Sequence, residues 1–352
     1  MRLVASAPGK LVIVGEFAVL HGAPALVMAV DRRVSIVFES VPGAGSASYL
    51  DAPGIGVHGH RLRFEADGIH HGSPLAHGDN RLGVLTEAFN EGIAHVVARG
   101  GRLPGSLAIR VDSSAFVGDG GVKLGFGSSA AVTVAALAGL AAVCLGEAVE
   151  RSEILRLAVS AHRRAQGGGS GIDVAAASMG GTLTFRLDAA REPDVESLAL
   201  PPSIRVAAVW SGEAQSTPAI LAKLAEFGAR APQTHAEHMA HLSKTSGIGI
   251  EAVRAGDAAG LLAAIRDYGE GLLALGRASG VELVSEWHQR VAAIVARAGG
   301  AYKPSGAGGD LGLVVCDGEA SAARVTTALS EAGIRAWPVA EAGAGVTIDL
   351  LE

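Results

Sequence analysis

The sequence predicts an α+β protein of two domains, and three observations carry this. At 352 residues the chain exceeds one typical core and suits two. Strand-like and helix-like patterns occur in both halves, without the strict alternation of a doubly wound sheet. The Pro- and acid-containing stretch "REPDVESLALPPS", residues 191–203, separates the halves and divides the chain into domains 1–195 and 196–352.

Taken in order, "MRLVASAPGKLVIVGEFAVLHG" reads as two short strands, residues 2–6 and 11–14, around a Pro8-Gly9 turn. From Ala25, "ALVMAVDRRVSIVFES" alternates as a strand with Val34, Ile36 and Phe38 on one face. Residues 42–79 are rich in Gly, Pro and His and predict loop and edge structure; His58, His60, His70, His71 and His77 lie there without metal-ligand spacing and are expected to face solvent. An amphipathic helix over 80–98, a strand in "GSLAIRVDSS", an apolar helix after Ser129 and a helix in "RSEILRLAVSAHRRAQ" capped by Ser152 follow. "GGTLTFRL" closes the first half as a strand. The second half opens on the strand "IRVAAVW" and runs through helices near 217–229, 233–255, 257–276 and 281–298 to "LGLVVC", a helix over 321–331 and "GVTIDLLE".

Composition excludes several classes. Apolar residues are 49% of the chain and charged ones 18%, which fits a folded protein rich in Ala and Gly and not a disordered one. A net charge of −6 gives no basic field for nucleic acid. Cys144 and Cys316 offer neither CxxC nor a zinc pattern, which predicts a reducing cytoplasm. Pro8, Gly9 and Lys10 interrupt the N-terminal apolar run before it could be a signal core. The apolar stretch Ala130–Leu145 falls short of the roughly 18 to 20 residues that span a bilayer and predicts a buried helix.

The chemistry begins at "KLGFGSSAAVTVAAL", Lys123–Leu137. Gly125, Gly127 and Ala130 satisfy GxGxxA, but a dinucleotide fingerprint follows a buried strand, and here the polar loop "VGDGGVK" precedes it. The Walker A pattern and the protein-kinase signatures are absent. A phosphate cradle explains each residue better. Glycines let the backbone approach an oligophosphate and turn its N–H groups inward, and the first turn of the apolar helix favours an anion. Ser128 and Ser129 can cap the helix or ligate magnesium, and Lys123 adds a point charge. A plain Gly-rich turn into a core helix is the bland alternative.

Three more segments weigh against that alternative. "KPSGAGGDLGL", Lys303–Leu313, is a second loop of small residues in the other half, so that a ligand between two such loops is expected. "GGGSGIDVAAASMGG", Gly167–Gly181, presents Asp173 among small residues; a surface turn is the alternative. "APGKLVIVGEFAVLHG" places Lys10 and Glu16 at the ends of an apolar strand, where charges are paired or functional; a rim salt bridge is the alternative for Lys10.

In this order and spacing the four segments resemble those of the GHMP small-molecule kinases. The resemblance spans nearly the whole chain. It implies an N-terminal ribosomal-protein-S5-domain-2-like domain and a C-terminal ferredoxin-like one, with ATP and magnesium as cofactors and phosphoryl transfer to a small metabolite. By resemblance, Lys123, Gly125, Phe126, Gly127, Ser128, Ser129 and Ala130 hold the ATP phosphates, Ser128 and Ser129 the magnesium, and Gly306, Ala307, Gly308 and Gly309 close from the second domain. Lys10 and Asp173 face the transferred group. Lys10, Glu16, Ser170, Gly171, Arg163 and Arg164 are candidates for the acceptor, although two arginines on a helix also suit a solvated face.

Within the family the segments are most similar to those of the branch acting on phosphomevalonate. "HRRAQGGGSGIDVAAA" lacks the Glu and the HGxPSGxD usual where mevalonate is the acceptor. Phe126 replaces the usual Leu, and the last loop is one glycine shorter than the common SGAGGGD. Mevalonate is the alternative acceptor, with galactokinase-like or homoserine-kinase-like acceptors further off. A non-catalytic homologue that binds a metabolite or nucleotide is the alternative from another class; the retained Lys10, Asp173 and both loops argue against it. No nucleic acid or membrane partner is expected, and the protein is expected to be a monomer or homodimer.

Overall fold

A single strand runs through Pro8 and Gly9 where the sequence predicts a turn. In the computed structural model, which describes residues 1–42, 47–72, 80–118, 121–212, 217–306 and 309–351, β1 is continuous over Arg2–Val14. Gly9 permits this: a Cβ there would lie 2.7 Å from the Phe126 carbonyl oxygen and 2.8 Å from the Phe116 ring. The next residue, Lys10, donates its N–H to that same oxygen at 2.8 Å. Tertiary pairing thus overrides a turn signal.

The elements continue as β2 (Ala25–Ser40), β3 (Ser48–Ala52), β4 (Val57–Glu65), β5 (Gly68–His71), α1 (Gly83–Ala98), β6 (Leu107–Asp112), α2 (Ser128–Leu145), α3 (Arg151–Gln166), α4 (Ile172–Met179), β7 (Thr182–Leu187) and β8 (Pro193–Leu198). Then come β9 (Ile204–Trp210), α5 (Thr217–Arg230), α6 (Pro232–Arg254), α7 (Ala258–Ser279), α8 (Glu286–Arg297), β10 (Ala301–Pro304), β11 (Leu311–Asp317), α9 (Glu319–Glu331), β12 (Ala336–Pro338) and β13 (Thr347–Leu351). The chain forms two compact units, Met1–Lys10 with Ala29–Gly180 and Ala342–Glu352, and Leu11–Met28 with Gly181–Glu341. Each unit draws on separated stretches, where the sequence reading places one cut at 195/196.

In the first unit the sheet order is β13-β1-β2-β6-β3-β4-β5. The last strand pairs antiparallel with the first, Arg2 opposite Leu351 through Ser6 opposite Thr347, and β3 lies parallel to β6. Val34, Ile36 and Phe38 are fully buried, as their alternation predicts. Phe89 of α1 packs edge-on against Phe38 and Phe64 at 6.4 and 5.6 Å between centroids, each such ring stabilising by about 1.5–3 kcal/mol. α2 has the length and hydropathy of a membrane span, but 72% of it is buried in the protein, which marks a core helix.

Several expectations need correction in this unit. Residues 48–71 form the strand run β3-β4-β5 at the sheet edge. His60 and His71 are half-buried and share a hydrogen bond of 2.9 Å, so of the described members of this cluster only His58 and His70 face water; His77 lies outside the described residues. Ser152 does not cap α3. That place belongs to Glu150, whose carbonyl accepts the N–H groups of Glu153 and Ile154 while no side chain caps the turn.

In the second unit, β10-β11-β9-β12 form an antiparallel sheet. Val209, Tyr302, Val314 and Cys316 of the sheet pack with Val291 and Val295 of α8 and Val325 and Leu329 of α9. Helix starts are built by local chemistry: Pro232 opens α6, and Asp257 and Ser285 accept the N–H groups of Gly260 and His288 to cap α7 and α8. The stretch 191–203, read as a linker, contains β8, which pairs with β7 from Thr182/Leu198 to Leu187/Pro193. Its proline takes the first strand position and its polar alternation suits a sheet edge, which is why it resembles a loop.

Candidate active site

In the first unit the predicted loop docks on β1. Gly127 caps α2 with φ 79°, a left-handed conformation that L side chains rarely adopt, and a Cβ there would stand 3.1 Å from Lys10 Cγ and 3.7 Å from Asp173 Cβ. The glycine therefore lies between the two residues expected to face the transferred group. Lys10 is 9% exposed and donates from Nζ to the Gly125 carbonyl at 3.3 Å. Phe126 and Ala130 are buried, with the Arg32 guanidinium 5.2 Å from the Phe126 ring centroid; the Phe126 exchange fills core and leaves the loop free of side chains. Ser128 and Ser129 form the first turn of α2, which carries no acidic residue of its own, so its partial positive charge faces Asp173 and any bound anion. Lys123 is exposed beside Val117.

Asp173 is on a helix that the sequence reading missed, in the first turn of α4, and its Oδ1 accepts its neighbour Val174's N–H at 3.0 Å. Gly171 is the N-cap of that helix, and Ser170 Oγ accepts the Ile172 N–H at 3.3 Å. Arg163 reaches back from α3 to donate to the carbonyls of Gly169 and Ser170 at 3.2 and 3.0 Å, holding the loop before Asp173 in shape. Arg164 turns the other way and binds Glu87 and Glu91 of α1 at 2.7 and 2.5 Å. Its charge is already matched by two carboxylates, so the solvated-face alternative fits it better than an acceptor role.

His162 is the residue that motif reading overlooked. Its Nε2 lies 3.2 Å from Ser129 Oγ and 4.0 Å from Asp173 Oδ2. The signal was a polar residue on the buried stripe of α3, in step with Leu155, Ala158 and Val159.

In the second unit Glu16 is 5% exposed and pairs with Lys303, so it stands as a buried ion-pair partner. Ser305 Oγ donates to the Val12 carbonyl and accepts its N–H, each at 3.0 Å, which ties the start of the second glycine loop to β1. His288 Nε2 donates to the Gly309 carbonyl at 2.7 Å, and since a carbonyl only accepts, the ring's Nδ1 accepts from the Tyr302 hydroxyl. Burial holds the His288 pKa below the usual 6.5. Gly306 and Gly309 are half-buried; Ala307 and Gly308 lie outside the described residues. A cavity of about 840 Å³ in this unit is lined chiefly by β9, β11 and α9 and contains none of the predicted residues.

Comparison with known proteins matches residues 89–181 to the N-terminal domain of GHMP kinases. The chain is 31% identical over 351 residues to a phosphomevalonate kinase of Streptomyces sp. strain CL190, covering 91% of each protein. It is 31% identical over 185 residues to a mevalonate kinase of Thermococcus onnurineus, covering 53% of this chain and 52% of that one. Its fold superposes on Streptococcus pneumoniae phosphomevalonate kinase, solved with phosphomevalonate and AMPPNP, with TM-score 0.75 at 16% identity over 96% and 99% of the two chains. With these similarities the chain is a phosphotransferase of the mevalonate-pathway type. It belongs to the GHMP kinase family, and its α+β architecture is that family's two-domain fold.

Proposed function

We propose that the protein transfers the terminal phosphoryl group of ATP to the phosphate of 5-phosphomevalonate, giving 5-diphosphomevalonate. The observation that carries this is the placing of Lys10 and Asp173 on either side of Gly127, at the mouth of a helix whose own first turn carries no acidic residue. A match over 91% of the chain to a phosphomevalonate kinase, against about half for the mevalonate kinase, supports that acceptor.

The glycine backbone of 125–127 and the first turn of α2 would hold the oligophosphate, with Lys123 at its exposed edge. Ser129 Oγ and the Asp173 carboxylate both approach one nitrogen within 4.0 Å and are hard oxygen donors, a set that fits magnesium better than a soft metal. Ser129, with Ser128 beside it, would hold the ion, which when bound neutralises oligophosphate charge. Lys10 supplies the fixed cation where two anions must meet; Arg163 shapes the 169–170 backbone under the acceptor, together with Ser170 and Gly171. Catalysis of this kind is positioning and charge stabilisation.

The test compares ADP release from magnesium-ATP with 5-phosphomevalonate and with mevalonate at equal concentration, with phosphorus NMR of the product. A diphosphate doublet from phosphomevalonate alone is the expected result. Turnover of mevalonate alone would move the assignment to the hydroxyl acceptor.

A further inference from the structure

His162 brings three helices to one nitrogen atom. Its imidazole, on α3, is 7% exposed. Its Nε2 meets the Ser129 hydroxyl from α2 at 3.2 Å, and the Asp173 Oδ2 from α4 at 4.0 Å. Around the ring, the Ser129 backbone carbonyl accepts from Thr133 Oγ1 at 3.0 Å, and Asp173 Oδ1 accepts the Val174 N–H, which leaves Oδ2 toward the ring. The neighbours of His162 on the same stripe are Leu155, Ala158 and Val159, so a side chain needed only for volume would be apolar here.

We propose that His162 is a positioning residue: through one nitrogen it fixes the Ser129 hydroxyl rotor and keeps that oxygen in register with the Asp173 carboxylate. A serine hydroxyl has one proton and two lone pairs. Its bond to Nε2 uses one of these and orients the rest toward a ligand instead of leaving the group to rotate. The partner of a metal-binding oxygen tunes affinity in this way without touching the ion. The inference rests on the ATP and magnesium reading above.

The experiment uses the full chain with two substitutions. His162→Phe keeps the ring's bulk and removes its polar atoms, and His162→Gln restores a polar atom near the position of Nε2. Calorimetric ADP affinity is measured with and without magnesium, beside kcat, the KM for ATP and the thermal midpoint. The expected result is a loss of about 10–100-fold in the magnesium-dependent gain in affinity and in kcat for His162→Phe. Magnesium-free ADP affinity and the thermal midpoint stay near the wild-type values, and His162→Gln recovers part of the loss. Wild-type magnesium dependence in His162→Phe overturns the proposal, as does an equal loss in both variants that tracks a lowered midpoint, which marks packing alone. A wild-type protein that binds no nucleotide overturns both this inference and the functional reading. One that binds magnesium-ADP but phosphorylates neither acceptor overturns the acceptor only, and the affinity measurement still decides the role of His162.

Discussion

The ammonium of Lys303 and the carboxylate of Glu16 form an ion pair whose side chains are 0% and 4% exposed. Lys303 Nζ also donates to the Pro304 carbonyl at 2.7 Å, and the Tyr268 hydroxyl donates to the Glu16 carbonyl at 2.6 Å. The network lies where β10 leads into the second glycine loop. Removing one partner strands the other charge out of water, so Glu16→Gln is expected to cost about 3–5 kcal/mol in urea unfolding. Glu16→Gln combined with Lys303→Met should regain much of that loss. If the double variant is as unstable as the two single losses added together, the pair is not the coupled unit described.

Lys10 and Asp173 should separate in kinetics. A phosphate monoester has its second pKa at about 6 and arrives at neutral pH already ionised, so it needs cations more than a base. Lys10→Ala is therefore expected to lower kcat by about 10²–10³-fold, and Asp173→Asn by a smaller factor, in steady-state assays with phosphomevalonate. Equal or reversed losses would point to a hydroxyl acceptor that needs a carboxylate base.

Gly127→Ala should disturb both conformation and chemistry. The left-handed backbone costs an alanine about 1–2 kcal/mol, and the methyl group, 3.1 Å from Lys10 Cγ, pushes on the ammonium's stem. A lower thermal midpoint with a raised KM for ATP and reduced kcat is expected. A variant with unchanged kinetics would remove this loop from the site.

His288 gives the protein a stability that depends on pH. Because burial depresses its folded-state pKa below 6.5, the unfolded chain takes up its proton first as the solution is acidified. The contribution is complete above about 6.5 and is lost as pH falls through that value toward the folded pKa. The thermal midpoint should fall between pH 7.5 and 5.5. His288→Phe should flatten part of that slope, while His21, His60 and His71, also depressed by burial, maintain the remainder. A wild-type midpoint that is level over this interval would refute the linkage.

How much of this was legible in the sequence follows from where the determining forces act. The amphipathic helices α1, α3 and α5 to α9 and the strand β2 were readable because their periodicity records one buried face. The loop around Gly127 and the carboxylate of Asp173 were readable because small residues beside isolated charges have few other uses. By contrast, the unbroken β1 depends on the Phe126 carbonyl, 116 positions beyond Lys10 and invisible to any local window. β8 was hidden because an edge strand shares the composition of a linker. His162 and the Lys303–Glu16 pair were missed because their meaning comes from partners brought together by other helices and strands, with no spacing in the chain to announce them.

The pairing of β13 with β1 has a consequence for biosynthesis. Residues 347–351 supply the neighbour of the strand that carries Lys10, and they leave the ribosome after every element of the second unit. The first unit therefore cannot finish folding until the second unit has been made. Until then, the nascent polypeptide exposes an unpaired strand edge beside the strongly apolar α2, and this is the interval in which chaperone capture and aggregation compete with completion.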